Sequence, residues 1–227
     1  MVNLPWTEKY RPRSLHEIIL DKRIKDQLIS MSITNEIPNV IFEGPPGVGK
    51  TSTVRCLARA VYGNYYGIKV LELNASDERG VKIQQIIENF RRSHVHVKRG
   101  DTVAPYKLVI LDEADNITEK AMHILNTFIE KNKNELRFIF TCNTKIGILP
   151  SIQSACTIIR YPPLSDEILY DRLKGICESE IVHLDIEEKK GLLTICKICS
   201  GDMRKAINML QMVCVRFDEE ITEENVY

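Results

Sequence analysis

Residues 44–52 read Gly44, Pro45, Pro46, Gly47, Val48, Gly49, Lys50, Thr51 and Ser52, and the spacing G-x-x-x-x-G-K-T is one that can hold a polyphosphate. Each residue type has a task. Glycines let backbone N–H groups approach phosphate oxygens, and the start of a helix adds a favourable dipole. The Lys50 ammonium can reach the β and γ phosphates, and the Thr51 hydroxyl can ligate Mg2+. Four fixed positions would recur by chance in a chain of this length about one time in a hundred. A mere glycine-rich turn is therefore the poorer explanation.

Such a loop needs a carboxylate from a neighbouring strand. The run Lys107 to Leu111 is followed by Asp112, Glu113, Ala114 and Asp115, so an apolar strand buried on both faces ends in acids at the sheet edge. Asp112 is expected in the magnesium shell and Glu113 as the general base that polarises an attacking water. A pair of acids after an apolar run is ordinarily just a solvated strand end; the upstream loop is what makes it a site. The next apolar run ends in Thr141, Cys142 and Asn143, where Asn143 can orient the water or cap a turn.

The elements that must position these residues follow from periodicity. Strands are expected over 39–43, 70–74, 107–111, 137–141 and 157–160, with helices over 21–34, 50–62, 80–93 and 118–130 between them. Strands separated by helices call for a parallel sheet covered on both faces, the α/β class. After Pro162 and Pro163 the β signal stops and helices are expected near 165–178, 187–199 and 202–216, with Thr222 as the N-cap of a further one. The expected division is an α/β domain over 1–161 and a small all-helical domain over 162–227.

Composition agrees with a globular chain: 227 residues, 44% hydrophobic and 27% charged. No apolar run approaches the roughly 18 residues of a membrane span, so no membrane partner is expected. The net charge of zero hides an asymmetry, because residues 1–160 hold 23 basic and 17 acidic side chains and 161–227 hold 8 and 14. Two regions with different partners is the simplest reading. The seven cysteines are odd in number and mostly sit among apolar neighbours, as buried thiols do in a reducing compartment. Cys196 and Cys199 lack a second ligand pair at zinc-site spacing and are expected inside an apolar helix. His94 and His96, alternating with Val95 and Val97, are expected in an edge or loop and not at a metal. Arg79, Lys82, Arg91, Arg92, Lys98 and Arg99 form a basic stretch that suits sequence-independent contact with a nucleic-acid backbone, although such runs are usually solvated surface.

The loop, the run ending in Asp112 to Asp115, Asn143 at the next strand end, and Gly201 to Arg204 in the helical region together resemble the AAA+ ATPases. Within them the chain is similar to the small subunits of replication factor C, the eukaryotic sliding-clamp loader. The specific matches are Leu4 to Pro12, Glu72 to Gly80 and Gly201 to Asn208, and the opening Leu4, Pro5 and Trp6 point to the second small subunit. The resemblance implies an AAA+ P-loop sheet followed by a helical lid, Mg2+-dependent ATP binding and hydrolysis that is weak in isolation, and a nuclear location. Other loader subunits in a hetero-pentamer, a ring-shaped sliding clamp and primer–template DNA are the implied partners. Tyr10, Arg11 and Pro12 match the segment beside the adenine, Asn143 matches sensor 1, Arg204 matches the sensor 2 arginine, and Arg79 matches a basic residue linking DNA to Glu113.

Departures matter as well. The family carries Ser-Arg-Cys where this chain has Ser154, Ala155 and Cys156, so the arginine finger offered to a neighbour is missing; either that trans role is lost or position 155 carries a substitution. A second arginine expected in the helix after Asp115 is absent from Ile124 to Phe128. The helical collar through which such subunits form their ring has no counterpart in these 227 residues, as expected of a truncated chain. The competing readings are a non-hydrolysing scaffold subunit of the same kind of assembly, or another AAA+ machine acting on DNA.

Overall fold

The structure, a computed structural model, describes residues 4–75, 80–180, 186–217 and 221–226. It divides into two compact units. One contains Pro12–Gly44 and Lys50–Tyr161; the other contains the N-terminal stretch through Arg11, the loop Pro45–Gly49 and the chain from Pro162 onward. This differs from a single cut at 161/162, because the first eleven residues and part of the phosphate-type loop group with the C-terminal helices.

The first unit is built on five parallel strands: β1 (Val40–Glu43), β2 (Val70–Asn74), β3 (Lys107–Asp112), β4 (Leu136–Cys142) and β5 (Thr157–Arg160), in the order β2-β3-β4-β1-β5. The helices of this unit are α2 (Lys22–Thr34), α3 (Lys50–Tyr62), α4 (Tyr66–Lys69), α5 (Gly80–Arg92), α6 (Glu119–Lys131) and α7 (Pro150–Ser154). The short α4 and α7 fall below the length at which apolar periodicity can be read. β3 shows why a parallel sheet forms: Lys107 to Leu111 are all buried, so neither face could meet solvent. Phe138 and Phe140 of β4 stack with ring centroids 6.3 Å apart, in a core shared with Ile83 and Ile87 of α5 and Leu125 and Ile129 of α6.

Buried Lys107 is explained by its partners. Its Nζ donates to the carbonyls of Phe90, Arg91 and Ser93 and to Ser93 Oγ, closing the C-terminus of α5, while burial lowers its pKa. The register pairs Asn74 with Asp112, Leu111 with Phe140, and Glu43 with both Cys142 and Arg160. All five strand ends therefore lie on one sheet edge. β1 sits between strands that follow it late in the chain, which makes its C-terminal end the point where strand order reverses and where α/β sheets bind ligands.

The second unit holds α1 (Trp6–Lys9), α8 (Asp166–Glu180), α9 (Ile186–Cys199), α10 (Met203–Arg216) and α11 (Glu223–Val226). Leu169, Leu173, Leu192, Ile195, Leu210 and Val213 form its core, with Trp6 and Tyr10 packed against it. The N-terminal stretch is tied down by polar contacts: Trp6 N–H donates to Gln211 Oε1 (2.9 Å), Tyr10 Oη to Glu180 Oε1 (2.6 Å), and Arg172 to the Tyr10 carbonyl (2.7 Å). Asn225 N–H donates to Thr222 Oγ1 (3.3 Å), the cap that the sequence indicates for α11. Cys196 and Cys199 are buried within α9, and burial pushes the Cys196 thiol up to about 12. Among the described residues all cysteines are free, no cluster of metal-binding side chains occurs, and no helix is long and apolar enough to cross a membrane. Leu210→Ala should lower stability by about 2–5 kcal/mol, the usual range for a fully buried leucine, whereas Met212→Ala, at a position 60% exposed, should change it by less than about 0.5 kcal/mol. Urea unfolding measures both.

Candidate functional site

The loop between β1 and α3 needs glycine for two separate reasons. Gly47 and Gly49 have φ of +72° and +94°, where a side chain is strained. At Gly44 the constraint is space, since a Cβ would lie 2.5 Å from the Tyr161 carbonyl oxygen. The loop runs straight into α3, so Lys50 and Thr51 stand on its first turn.

Lys50 is only 9% exposed. Its Nζ donates to the Gly44 carbonyl (2.6 Å) and to Asn143 Oδ1 (3.2 Å), which joins the loop to the end of β4 across 93 residues. Thr51 Oγ1 lies 3.0 Å from both carboxylate oxygens of Asp112. Thr141 Oγ1 also donates to Asp112 and accepts from the Glu113 N–H (3.3 Å). Glu113 has φ of +55°, a left-handed conformation uncommon for a side chain of this size, and its carboxylate is exposed and accepts from Asn116 Nδ2 (3.4 Å). Asp115 Oδ2 accepts from the backbone N–H of Asn143 (3.1 Å).

Lys50, Thr51, Asp112 and Asn143 are thus brought together, with Glu113 adjoining. Thr141 and Asp115 are additions that residue type and spacing did not single out, although both flank residues that were. Their signal was proximity in sequence to Asp112 and Asn143. A hydroxyl and a carboxylate held 3.0 Å apart form the hard-oxygen pair that Mg2+ prefers.

In the second unit, Arg204 lies exposed in the first turn of α10 and makes no ion pair among the described residues. Tyr10 packs with the helices of that unit, and Arg11 pairs with Glu8 (2.5 Å); Pro12 belongs to the first unit, where its carbonyl accepts from Cys56 Sγ (3.3 Å). Of the basic stretch, Arg79 and the side chain of Lys82 lie outside the described residues. Arg91 is paired with Glu88 and Glu135 at 2.8 Å, and Arg92 with Glu88 at 2.7 Å. Together the two guanidiniums hold the Glu88 carboxyl down at about 2. The stretch is therefore less positive than its arginines alone imply. His94 and His96 lie in a segment without regular structure.

Residues 40–164 match the model of the ATPase family associated with various cellular activities (AAA), and residues 171–215 match the RCF1/5-like AAA+ ATPase lid domain. The replication factor C small subunit of Methanococcus maripaludis is 42% identical over 224 residues, covering 98% of this chain and 68% of that protein. The chain belongs to the AAA ATPase family, in its replication factor C small-subunit branch. Probable replication factor C subunit 5 of Dictyostelium discoideum is 42% identical and replication factor C subunit 5 of Homo sapiens 40% identical, each over 99% of this chain. The chain spans 64% of the length of those two relatives. Replication factor C subunit 3 of rice is also 42% identical, so these identities do not single out the second small subunit. Among solved structures, the Thermotoga maritima RuvB Holliday junction branch migration motor superposes with a TM-score of 0.71 at 18% identity, over 95% of this chain and 70% of that one. That likeness shows the shared AAA+ fold. Membership in this family makes the chain a nucleotide-binding protein.

Proposed function

We propose that this chain is the ATP-binding and ATP-hydrolysing part of a sliding-clamp loader subunit, with a nucleotide-binding domain over 1–161 and a lid over 162–227. In this reading it works in a nuclear hetero-pentamer that opens a ring clamp and places it on primer–template DNA. The observation that carries the reading is the 3.0 Å meeting of Thr51 with Asp112 beside a Lys50 bonded to Asn143, because two distant strand ends converge there on one phosphate-type loop.

The roles follow from the chemistry. Backbone N–H groups of Gly47 to Ser52 and the Lys50 ammonium bind the polyphosphate, and Tyr10, Arg11 and Pro12 flank the base. Thr51 and Asp112 would hold Mg2+, which when bound neutralises charge on the phosphate oxygens. Glu113 accepts the proton of the attacking water, Asn143 orients that water, and Arg204 supplies positive charge from the lid. Arg79, Lys82, Arg91 and Arg92 are the DNA-contact candidates. Paired with both Glu88 and Glu135 and 24% exposed, Arg91 contributes less there than Arg92, which shares Glu88 but has a side chain 72% exposed. The test is reconstitution with the remaining subunits of a loader and measurement of ATP-dependent clamp loading on primed DNA. An assembled complex that loads no clamp would reject the loader reading.

One observation favours the scaffold reading at a neighbouring site. Ala155, exposed at the end of α7, stands where the family places its finger arginine. Ala155→Arg should leave this subunit's own ATP affinity unchanged and raise single-turnover hydrolysis at the adjoining site by roughly 10³-fold or more, the range of such fingers in P-loop enzymes. Equal rates for both chains would mean that another residue supplies the finger.

A further inference from the structure

Within the helical unit, the first turn of α10 rests directly on the phosphate-type loop. The Met203 N–H donates to the Gly47 carbonyl (3.3 Å). The carboxylate of Asp202 presses on the same glycine: a Cβ built at Gly47 would lie 1.8 Å from Asp202 Oδ1, 2.3 Å from its Cγ and 3.0 Å from its Cα. Asp202 cannot swing away freely, because Oδ1 is the N-cap of α10 and accepts from the Lys205 N–H (2.9 Å). A fixed negative charge therefore stands against the middle glycine of a loop whose chemistry is to receive anions. Two residues further on, the same turn carries Arg204 with the opposite charge.

We propose that Asp202 is a positioning residue for nucleotide recognition: its carboxylate seats the first turn of α10, and with it Arg204, on Gly47, and its charge opposes the incoming polyphosphate. The inference rests on the nucleotide reading of the loop. It assigns Asp202 a task beyond capping, namely holding the affinity for ATP below what the loop and Lys50 would give without it. Like charges several ångströms apart in a half-solvated site repel appreciably, and the repulsion grows with the number of phosphate charges.

The decisive variant is Asp202→Asn. Asparagine caps a helix as well as aspartate and has nearly the same shape, so a purely structural role would leave nucleotide binding where it was. The expected result is Mg-ATP binding tighter by roughly three- to tenfold, a smaller gain for Mg-ADP, and a difference that shrinks as salt is raised from 0.05 to about 0.5 M. Asp202→Ala serves as the control for the cap and should lower the melting temperature, which Asp202→Asn should not. Isothermal titration of wild type, Asp202→Asn and Lys50→Ala separates the two ideas. If wild type binds Mg-ATP, Lys50→Ala does not, and Asp202→Asn equals or falls below wild type, the proposal for Asp202 is wrong and the nucleotide reading stands. If wild type takes up no nucleotide, both fall.

Discussion

Lys50→Ala removes nucleotide binding. In the folded chain the Lys50 ammonium is almost fully buried and spends its hydrogen bonds on the Gly44 carbonyl and Asn143 Oδ1, both at the mouth of the loop. A cation held in that position by a carbonyl and an amide oxygen is placed to meet an anion entering the loop. Losing one member of a buried, hydrogen-bonded charge pair costs about 3–5 kcal/mol, which corresponds to a complex weaker by roughly 2 × 10² to 4 × 10³-fold. Truncation also leaves the Gly44 carbonyl without this donor, so the melting temperature of the ligand-free variant must be recorded beside that of the Mg-ATP mixture. Lys50→Met, which keeps the aliphatic stem, separates packing from charge. A thermal shift with Mg-ATP as large as that of wild type would refute the assignment of the loop.

Glu113→Gln keeps binding and stops turnover. The amide preserves size and can still hydrogen-bond with Asn116, but it cannot take a proton from water. General-base catalysis contributes typically 10²- to 10⁴-fold, and the loss should appear in kcat with little change in Mg-ATP affinity. Position 113 is suited to the task because its left-handed backbone turns the side chain out of the strand direction just after Asp112, while Thr141 fixes its N–H. The measurement belongs in a full assembly, where a neighbouring subunit can complete the site. Normal hydrolysis at this subunit's own site in that assembly would show that another group is the base.

Most of the scaffold was legible in the chain because apolar runs and turn residues report local physics. β2 and β5 fall at 70–74 and 157–160, as the apolar runs indicate, and α3 spans 50–62. Four- and five-residue helices such as α1, α4 and α7 carry too little periodicity to be seen. Motif residues were legible because phosphate chemistry restricts both type and spacing. Contacts between motifs were not: nothing in the spacing places Asn143 on Lys50 or Asp202 on Gly47, which are separated by 93 and 155 positions. The basic stretch shows a different kind of miss. Glu88 lies three and four residues before Arg91 and Arg92, the spacing at which helical side chains pair, so the neutralisation was readable from the same rows that displayed the positive charge.

The attachment of the N-terminal stretch to the helical unit bears on the order in which the protein can form. All of the described strands have been synthesised once Tyr161 is made, and they leave the exit tunnel while the helical unit is still being added, so the sheet can assemble on a partial chain. Trp6, made almost first, must wait for Gln211 before its N–H has a partner. At synthesis rates of about 5–20 residues per second, the intervening stretch after Tyr161 takes several seconds, during which an apolar ring stays without its final seat. Trp6 is also the sole tryptophan of the chain. Its fluorescence therefore reports the completion of the helical unit and is blind to the earlier formation of the sheet.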